Sequence, residues 1–174
     1  MKNLRKFAMA ALALAVVVGF ASCEDPEEDP NTDPTPDTES VFAVEYDGEE
    51  LEDGDVITVT EIDAFNTMHF GGTMYNDDKS ERDLTITETR QFDLDTYTME
   101  GCIGISCVPS NGETTEVWSA TTGATSPGGS ENFEFKLSIP DDYLSVEAIA
   151  TSVFVFSNGD EEVSVTVNFV IAGE

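Results

Sequence analysis

The strict alternation of apolar and polar residues, which recurs from residue 41 onward, constrains the fold more than any other feature. Residues 133–139 read Phe-Glu-Phe-Lys-Leu-Ser-Ile, and residues 163–171 place an apolar side chain at every second position. Side chains of a β-strand point alternately to opposite faces, so this pattern predicts strands with one buried face. Further candidate strands cover 41–46, 55–62, 67–76, 84–89 and 148–157.

Short turn signals separate these candidate strands, and no long segment shows helical periodicity. The turns are marked by Asp47-Gly48, Asp53-Gly54, residues 76–78 and residues 158–160. Seven or more short strands in one segment predict an all-β fold, a single antiparallel β-sandwich over residues 41–174. The alternation assigns the core to the following residues or, as the alternative, to their neighbours in the same strands: Phe42, Val44, Met68, Phe70, Phe133, Phe135, Phe154, Phe156 and Phe169.

Residues 1–22 have the composition of a secretory signal peptide. Lys2, Arg5 and Lys6 precede an apolar run over residues 7–21, which is shorter than the roughly 20 residues of a membrane-spanning helix. A permanent membrane anchor is the alternative. The segment ends in Ala21-Ser22-Cys23.

This ending resembles the lipobox of bacterial lipoproteins, in which two small residues precede an invariant cysteine; Phe20 stands where Leu is usual. The resemblance implies that Cys23 carries a covalent lipid, palmitate among its acyl chains, and becomes the first residue of the mature chain. Two or more acyl chains give stable membrane anchoring. An ordinary cleaved signal with an incidental cysteine is the alternative.

The mature chain would be strongly acidic. Only four basic residues remain beside 36 acidic ones, a net charge of −32. Such a chain repels nucleic acid and anionic lipid, so neither is expected as a partner. Residues 23–40 combine eight acids with four prolines and offer nothing to bury, which predicts a disordered tether.

The start of this tether resembles the acidic export signal of surface lipoproteins in the Bacteroidota, a Gram-negative group. The matching residues are Glu24, Asp25, Glu27, Glu28 and Asp29. The resemblance implies an outer-membrane protein that faces the cell exterior. A plain spacer, with the domain on the periplasmic face, is the alternative.

Cys102 and Cys107 flank a short glycine-containing segment. Exported chains fold in an oxidising compartment, which favours a disulfide between them. A metal site or a redox pair is the alternative. Zinc usually needs four ligands, however, and only His69 is left to help, whereas redox pairs prefer a C-x-x-C spacing.

The region around this pair resembles small immunoglobulin-like domains of secreted and lipid-anchored Bacteroidota proteins. Cys102, Gly104, Cys107 and Pro109 match their short disulfide loop, although Ile103 stands where Trp is common, and residues 133–139 match the strand that follows. The resemblance covers roughly residues 41–172 and implies an immunoglobulin/fibronectin-III-like fold. It implies no shared chemistry.

Residues suited to catalysis are scarce. His69 is the single histidine and alternates with apolar neighbours as an outward strand residue would. Carboxylates are so numerous that a pair spaced for glycoside hydrolysis carries no signal. Asp53-Gly54-Asp55 and Asp93-Leu94-Asp95 do not extend into an EF-hand loop, so the sequence predicts no cofactor and no specific metal site, with weak Ca²⁺ binding at most.

Trp118, the one tryptophan, lies in a Ser/Thr/Gly-rich stretch that reads as a long loop with at most a weak strand. It is a candidate ligand contact; the alternative is that it closes the end of the core. Together these features predict a non-catalytic, lipid-anchored module that binds a glycan or a protein. A structural subunit of a surface complex is the second hypothesis, and a glycan-processing enzyme is the third.

Overall fold

The computed structural model describes residues 40–91, 97–109 and 117–173. Within these ranges no helix is long and apolar enough to cross a membrane. The predicted signal peptide, Cys23 and the acidic tether lie outside the described residues. Thr38–Glu174 forms one compact unit that contains the whole described core, so it can fold by itself.

The described part is an all-β sandwich, as the alternation predicted. Its strands are β1 (Phe42–Tyr46), β2 (Glu49–Glu50), β3 (Val56–Val59), β4 (Thr67–Asn76), β5 (Arg82–Arg90), β6 (Thr98–Ile103), β7 (Ser106–Pro109), β8 (Val117–Thr125), β9 (Gly129–Ser138), β10 (Ala148–Ser157) and β11 (Glu162–Ile171). A single 3-10 turn covers Asp141–Tyr143.

The strands form two sheets. The first sheet has the order β2-β1-β4-β9-β6-β7, and the second has the order β3-β11-β10-β5-β8. All neighbours are antiparallel except β3 and β11, which are parallel. The predicted antiparallel sandwich is therefore confirmed, with one parallel pair at the edge of the second sheet. The chain crosses from the first sheet to the second after β2. Strand β3 is then an edge strand of the second sheet and pairs with β11.

The core lies between the sheets and is built mainly of phenylalanine rings. Every residue that the alternation assigned to the core is buried, from Phe42 and Val44 to Phe169. Phe70 contacts Tyr46, Phe133 and Phe154 with ring centroids 5.0 to 5.4 Å apart. Tilted ring pairs at such distances add to the hydrophobic term. The aromatic cluster therefore joins the two sheets.

A charged pair is buried inside this core. Arg90 Nε donates to Glu88 Oε1 at 2.8 Å, and Ser152 Oγ donates to the same oxygen at 2.7 Å. The second guanidinium nitrogen lies 2.7 Å from Glu88 Oε2. A buried ion pair is tolerated only when such hydrogen bonds compensate for desolvation. Glu88 and Arg90 continue the inward positions of Leu84 and Ile86, so the inward face of β5 is charged at the end of the strand.

The disulfide predicted between Cys102 and Cys107 is present. The two cysteines pair directly across the hairpin of β6 and β7. Gly104 takes a positive φ of 54° at its turn, a backbone region that glycine enters without strain. The disulfide thus fastens the short edge strand β7 to the first sheet.

The two ends of the sandwich differ in what they carry. Residue 40 lies at one end, where the backbone N–H of Val41 donates to Glu161 and the N–H of Asp77 donates to the carbonyl of Val41. We call this the entry end. β4 runs from the opposite end towards it and contains ten residues, a length of about 33 Å.

Candidate functional site

The opposite end carries exposed apolar side chains on two connections, residues 60–66 and residues 139–147, and we call it the Phe65 end. Phe65 is 87% exposed. The other exposed apolar residues on these two connections are Ile62, Tyr143 and Val146. Single exposed apolar residues are normal, but a group of them on loops at one end indicates an interaction site.

Phe65 sits on a turn that hydrogen bonds hold in place. Asp63 Oδ1 accepts from the N–H of Phe65 at 2.8 Å and from the N–H of Thr67 at 2.9 Å. The N–H of Asp63 in turn donates to the carbonyl of Thr67 at 2.9 Å. Asn66 takes a positive φ of 60°, which Asn tolerates better than most residues. The exposed ring is therefore presented by an ordered turn.

Asn66 connects this turn to the second connection. Its side-chain amide donates to Asp141 Oδ1 at 2.5 Å, and its carbonyl accepts from the N–H of Ile139 at 2.9 Å. A hollow of about 280 Å³ lies between the two connections and is lined by Ile62, Asn66, Leu144, Ala172 and Gly173. The two loops and the end of β11 thus form one continuous surface.

His69 supports the same turn from β4. Its Nε2 lies 3.0 Å from Asp63 Oδ2, and its Nδ1 lies 3.0 Å from Glu134 Oε1. Glu134 is also paired with Lys136 at 2.9 Å. The sequence predicted His69 as an outward strand residue, and its side chain is 41% exposed. Its partners lie in another loop and another strand, so the sequence pattern did not indicate them.

These contacts shift the pKa values in directions that fit an ion-paired cluster. The hydrogen bond to Asp63, and then that to Glu134, raises the pKa of His69 against the opposing effect of partial burial. The hydrogen bond from His69 lowers the pKa of Asp63. Partial burial acts to raise the pKa of Glu134, but hydrogen bonds from Lys136 and His69 outweigh it, and the pKa is lowered.

The sign of the resulting pH dependence follows from these directions. The contribution of His69 to stability is complete below about pH 6.5, its unfolded pKa, and is lost as the pH rises through the raised folded value. The contributions of Asp63 and Glu134 are complete above about pH 4 to 5 and are lost as the pH falls through their lowered values. The cluster therefore stabilises the fold most in mildly acidic solution.

A cleft of about 530 Å³ lies beside the Phe65 turn and is lined by Asp47, Thr58, Glu61, Asp63 and His69, among others. Glycoside hydrolysis would need a carboxyl group with a raised pKa as the general acid. Asp63 has the opposite shift, and both of its oxygens accept hydrogen bonds. Both ring nitrogens of His69 are engaged by carboxylates, so neither is free to activate a nucleophile. The arrangement favours positioning of a loop over catalysis.

Metal ligands are grouped in one place among the residues that the structure describes, namely Glu100 with Cys102 and Cys107. The two sulfur atoms form the disulfide, so they offer no thiolate. Asp53 accepts from the N–H of Ser164, and Asp55 accepts from the N–H of Glu52. These two acids organise a turn. Asp93 and Asp95 lie outside the described residues, and weak Ca²⁺ binding stays a prediction.

Trp118 is not a surface contact, which corrects the hypothesis that it touches a ligand. The residue belongs to strand β8 and is 3% exposed. Its ring stands edge-on to Phe135 with centroids 5.1 Å apart. Gly101 leaves room for it, since a Cβ there would lie 2.9 Å from Trp118 Cζ2. Trp118 therefore occupies an inward-facing position of β8 and belongs to the core, which was the alternative to a ligand contact.

The exposed Phe65 was missed by sequence reasoning. It follows Asp63 and precedes Asn66, both of which act in the turn. It also lies outside every alternating run, so the pattern gives it no inward position. The one sequence signal for an exposed ring was therefore a phenylalanine among turn-forming residues. This signal is weak, because the exposure of the ring depends on how the loop folds.

Comparison with known proteins places the chain by its fold. No protein-family model matches it, and no curated protein matches its sequence. The N-terminal domain of PorA is similar with a TM-score of 0.50 at 13% identity, over 76% of this chain and 99% of that one. Weaker likenesses include a PapD-like domain of human CEP192 (TM-score 0.40, 10% identity, 86% of this chain and 99% of that one) and the collagen-binding subdomain ACE19 of the Enterococcus faecalis surface protein ACE (0.34, 9%, 65% and 93%). At these identities the likeness is one of fold.

Proposed function

We propose that the protein is a lipid-anchored module on the surface of a Gram-negative bacterium, which binds a protein ligand through its Phe65 end without catalysis. The observation that carries this proposal is an aromatic ring, 87% exposed, on a turn fixed by Asp63. An exposed aromatic side chain loses little conformational entropy when a partner covers it. Holding the turn in place reduces that cost further.

The charges around Phe65 indicate which kind of surface a partner would present. The charged side chains that the structure describes on the two connections are all acidic: Glu61, Asp63, Asp141, Asp142 and Glu147. A complementary ligand would offer an apolar pocket for Phe65 within a basic rim, because opposite charges guide association and exclude wrong partners. A glycan is less well matched, since one protruding ring offers no extended aromatic platform for sugar rings.

The position of the site fits an N-terminal lipid anchor. Residue 40 lies at the entry end, and Phe65 lies at the other end of β4. A chain attached to the membrane through Cys23 would therefore be held at the end that does not carry the site. The tether of about 18 residues, when extended, reaches about 60 Å at most.

Binding is tested with full-length protein displayed on cells. Phe65→Ala is expected to reduce capture of a basic extracellular ligand by at least about tenfold, a typical loss for an interface anchor. Ile105→Ala is the matched control, because Ile105 is fully exposed on the β6–β7 turn, outside the Phe65 end. Equal loss in both variants, or no loss with Phe65→Ala, would reject the site.

Anchoring is tested separately. Cys23→Ala should move the protein from the membrane fraction to the soluble fraction, and retention in the membrane would contradict the lipid anchor. Protease added to intact cells should degrade the domain if it faces the exterior. Protection from protease would assign it to the periplasmic face and leave the binding proposal to its own test.

A further inference from the structure

Among the residues that the structure describes, the central part of the second sheet presents no ionisable side chain to solvent, although the chain is strongly acidic. We define the neutral face as the outward residues of 56–58, 85–89, 119–121, 149–157 and 164–170. These sixteen positions hold only Thr, Ser, Asn, Val and Ile. Acids reappear at the rim nearest the entry end, at Asp83 and Glu162.

Such neutrality is not a property of every surface of this sandwich. Charged residues make up 25% of the chain, so sixteen outward positions would be expected to hold about four of them. The first sheet bears Glu45, His69, Glu100, Glu134 and Lys136 on its outward side. The same strand architecture therefore tolerates charge on one sheet and excludes it on the other.

Six of the eleven polar side chains of the neutral face hydrogen-bond to one another in pairs. Thr85 and Thr121 are joined at 3.0 Å, and Thr87 and Ser119 at 3.3 Å. Thr151 Oγ1 donates to Asn168 Oδ1 at 2.8 Å. Hydroxyl groups that already have protein partners lose less when water is removed. Covering the face would therefore leave these six side chains with hydrogen-bond partners.

We propose that this neutral face packs against the neutral face of a second copy of the chain. Residues 40–174 hold 28 acidic and four basic residues, a net charge of −24, so two copies repel each other through any acid-bearing surface. A basic partner would be recognised by acids, which this face lacks. A glycan would be recognised by aromatic rings, which it also lacks. A partner as acidic as this chain requires a contact surface without charge, and a second copy meets that condition.

The size of the face sets the expected strength. With strands about 4.8 Å apart and a rise of about 3.3 Å per residue, sixteen outward residues cover about 500 Å². Two copies would bury about 1,000 Å², which is at the low end of specific interfaces. The expected assembly is a reversible two-fold dimer, in which each copy uses the same surface. Two sheets can pack face to face in this way at about 10 Å separation.

The first test is sedimentation velocity of the unit Thr38–Glu174 over a concentration series. The dissociation constant should fall by about tenfold or more between about 0.05 M and 0.5 M NaCl, because salt screens the repulsion between the acidic bodies. Thr87→Glu should abolish the dimer. Thr73→Glu is the matched control, because Thr73 is also a half-buried strand threonine whose side chain hydrogen-bonds to a polar residue of the neighbouring strand, Asn132, but on the first sheet.

The second test uses the full-length chain in its membrane. Val155 lies on β10, the middle strand of the second sheet, so Val155→Cys should be cross-linked into a dimer by a short bismaleimide, whereas Thr73→Cys should not. Monomers at every concentration and salt would overturn the proposal. A dimer that survives Thr87→Glu, or that cross-links equally through both cysteine variants, would assign the contact to another surface and overturn it as well.

Discussion

Trp118 provides the most direct test of how the sandwich is packed. The structure places the ring in the core against Phe135 and over Gly101. Trp118→Ala removes this contact and leaves a cavity that the neighbouring strands fill only in part. Replacing a buried Trp by Ala typically costs about 3–5 kcal/mol. For a unit the size of Thr38–Glu174 this corresponds to a fall in Tm of about 10–20 °C.

The indole nitrogen makes a second variant informative. Among the residues that the structure describes, Trp118 Nε1 is buried and has no hydrogen-bond partner. A buried donor without a partner costs about 1–3 kcal/mol. Trp118→Phe loses part of the ring but also removes this unpaired donor, so the two effects oppose each other. The free energy of unfolding is expected to change by about 1 kcal/mol or less.

The assay is urea unfolding of Thr38–Glu174 followed by far-ultraviolet circular dichroism, since both variants lack the only tryptophan. The fluorescence of the unsubstituted protein should be blue-shifted when folded and should move to the red on unfolding. A Trp118→Ala variant with an unchanged midpoint would refute the core position. A Trp118→Phe variant as unstable as Trp118→Ala would show that the indole N–H is bonded.

Three further predictions address the sheet, the disulfide and the pH dependence. Gly72→Ala should lower the free energy of unfolding in urea by about 3 kcal/mol or more, because the added Cβ would lie 2.0 Å from the backbone carbonyl oxygen of Glu45. Gly123→Ala is the control and should leave the free energy of unfolding nearly unchanged, because the space around its Cβ is open. Cys102→Ser with Cys107→Ser should cost about 2 kcal/mol, from closure of a short loop, and an unchanged Tm would contradict this. His69→Gln should flatten the loss of stability that begins as the pH rises above about 6.5, and a slope equal to that of the unsubstituted protein would exclude His69 as its source.

Much of the fold could be predicted from side-chain alternation alone. Where one face of a strand is buried and the other solvated, as in β9 and β11, the sequence states the strand and its inward residues directly. The alternation fails where the inward face is not apolar. β5 ends with Glu88 and Arg90 turned inward. A pattern of alternating apolar and polar residues does not predict that these two charged side chains are buried.

The hairpin of β6 and β7 and the strand β8 were harder to predict. β6 contains Gly101, which is chosen because the Trp118 and Phe135 rings occupy the space of a side chain. β8 is made largely of Ser, Thr, Ala and Gly, so it lacks an apolar period even though its single large residue is buried. Both strands depend on contacts between segments distant in sequence, which a local pattern does not contain.

The candidate site depends even more on long-range contacts. From the sequence, His69 could be predicted only to point outward. Its two carboxylate partners come from a loop and from β9, so only the folded chain brings them to it. Phe65 belongs to a candidate site only because strand directions bring its turn beside residues 139–147 and away from the entry end. Local sequence supplies the residue types, whereas topology decides which of them share a surface.

The membrane would select one geometry of the proposed dimer. Two neutral faces can pack with their strands parallel or antiparallel, according to whether the two-fold axis runs along the strands or across them. If both copies are anchored through Cys23 in one membrane, an axis along the strands places both entry ends on the same side, whereas an axis across the strands places one entry end about 33 Å farther away. The first arrangement stretches neither tether, so we expect the axis to run along the strands. The Phe65 ends then lie together on the far side, and neither is covered by the contact between the sheets. A ligand with two matching sites would meet both at once and would gain affinity from the second contact without any new interface.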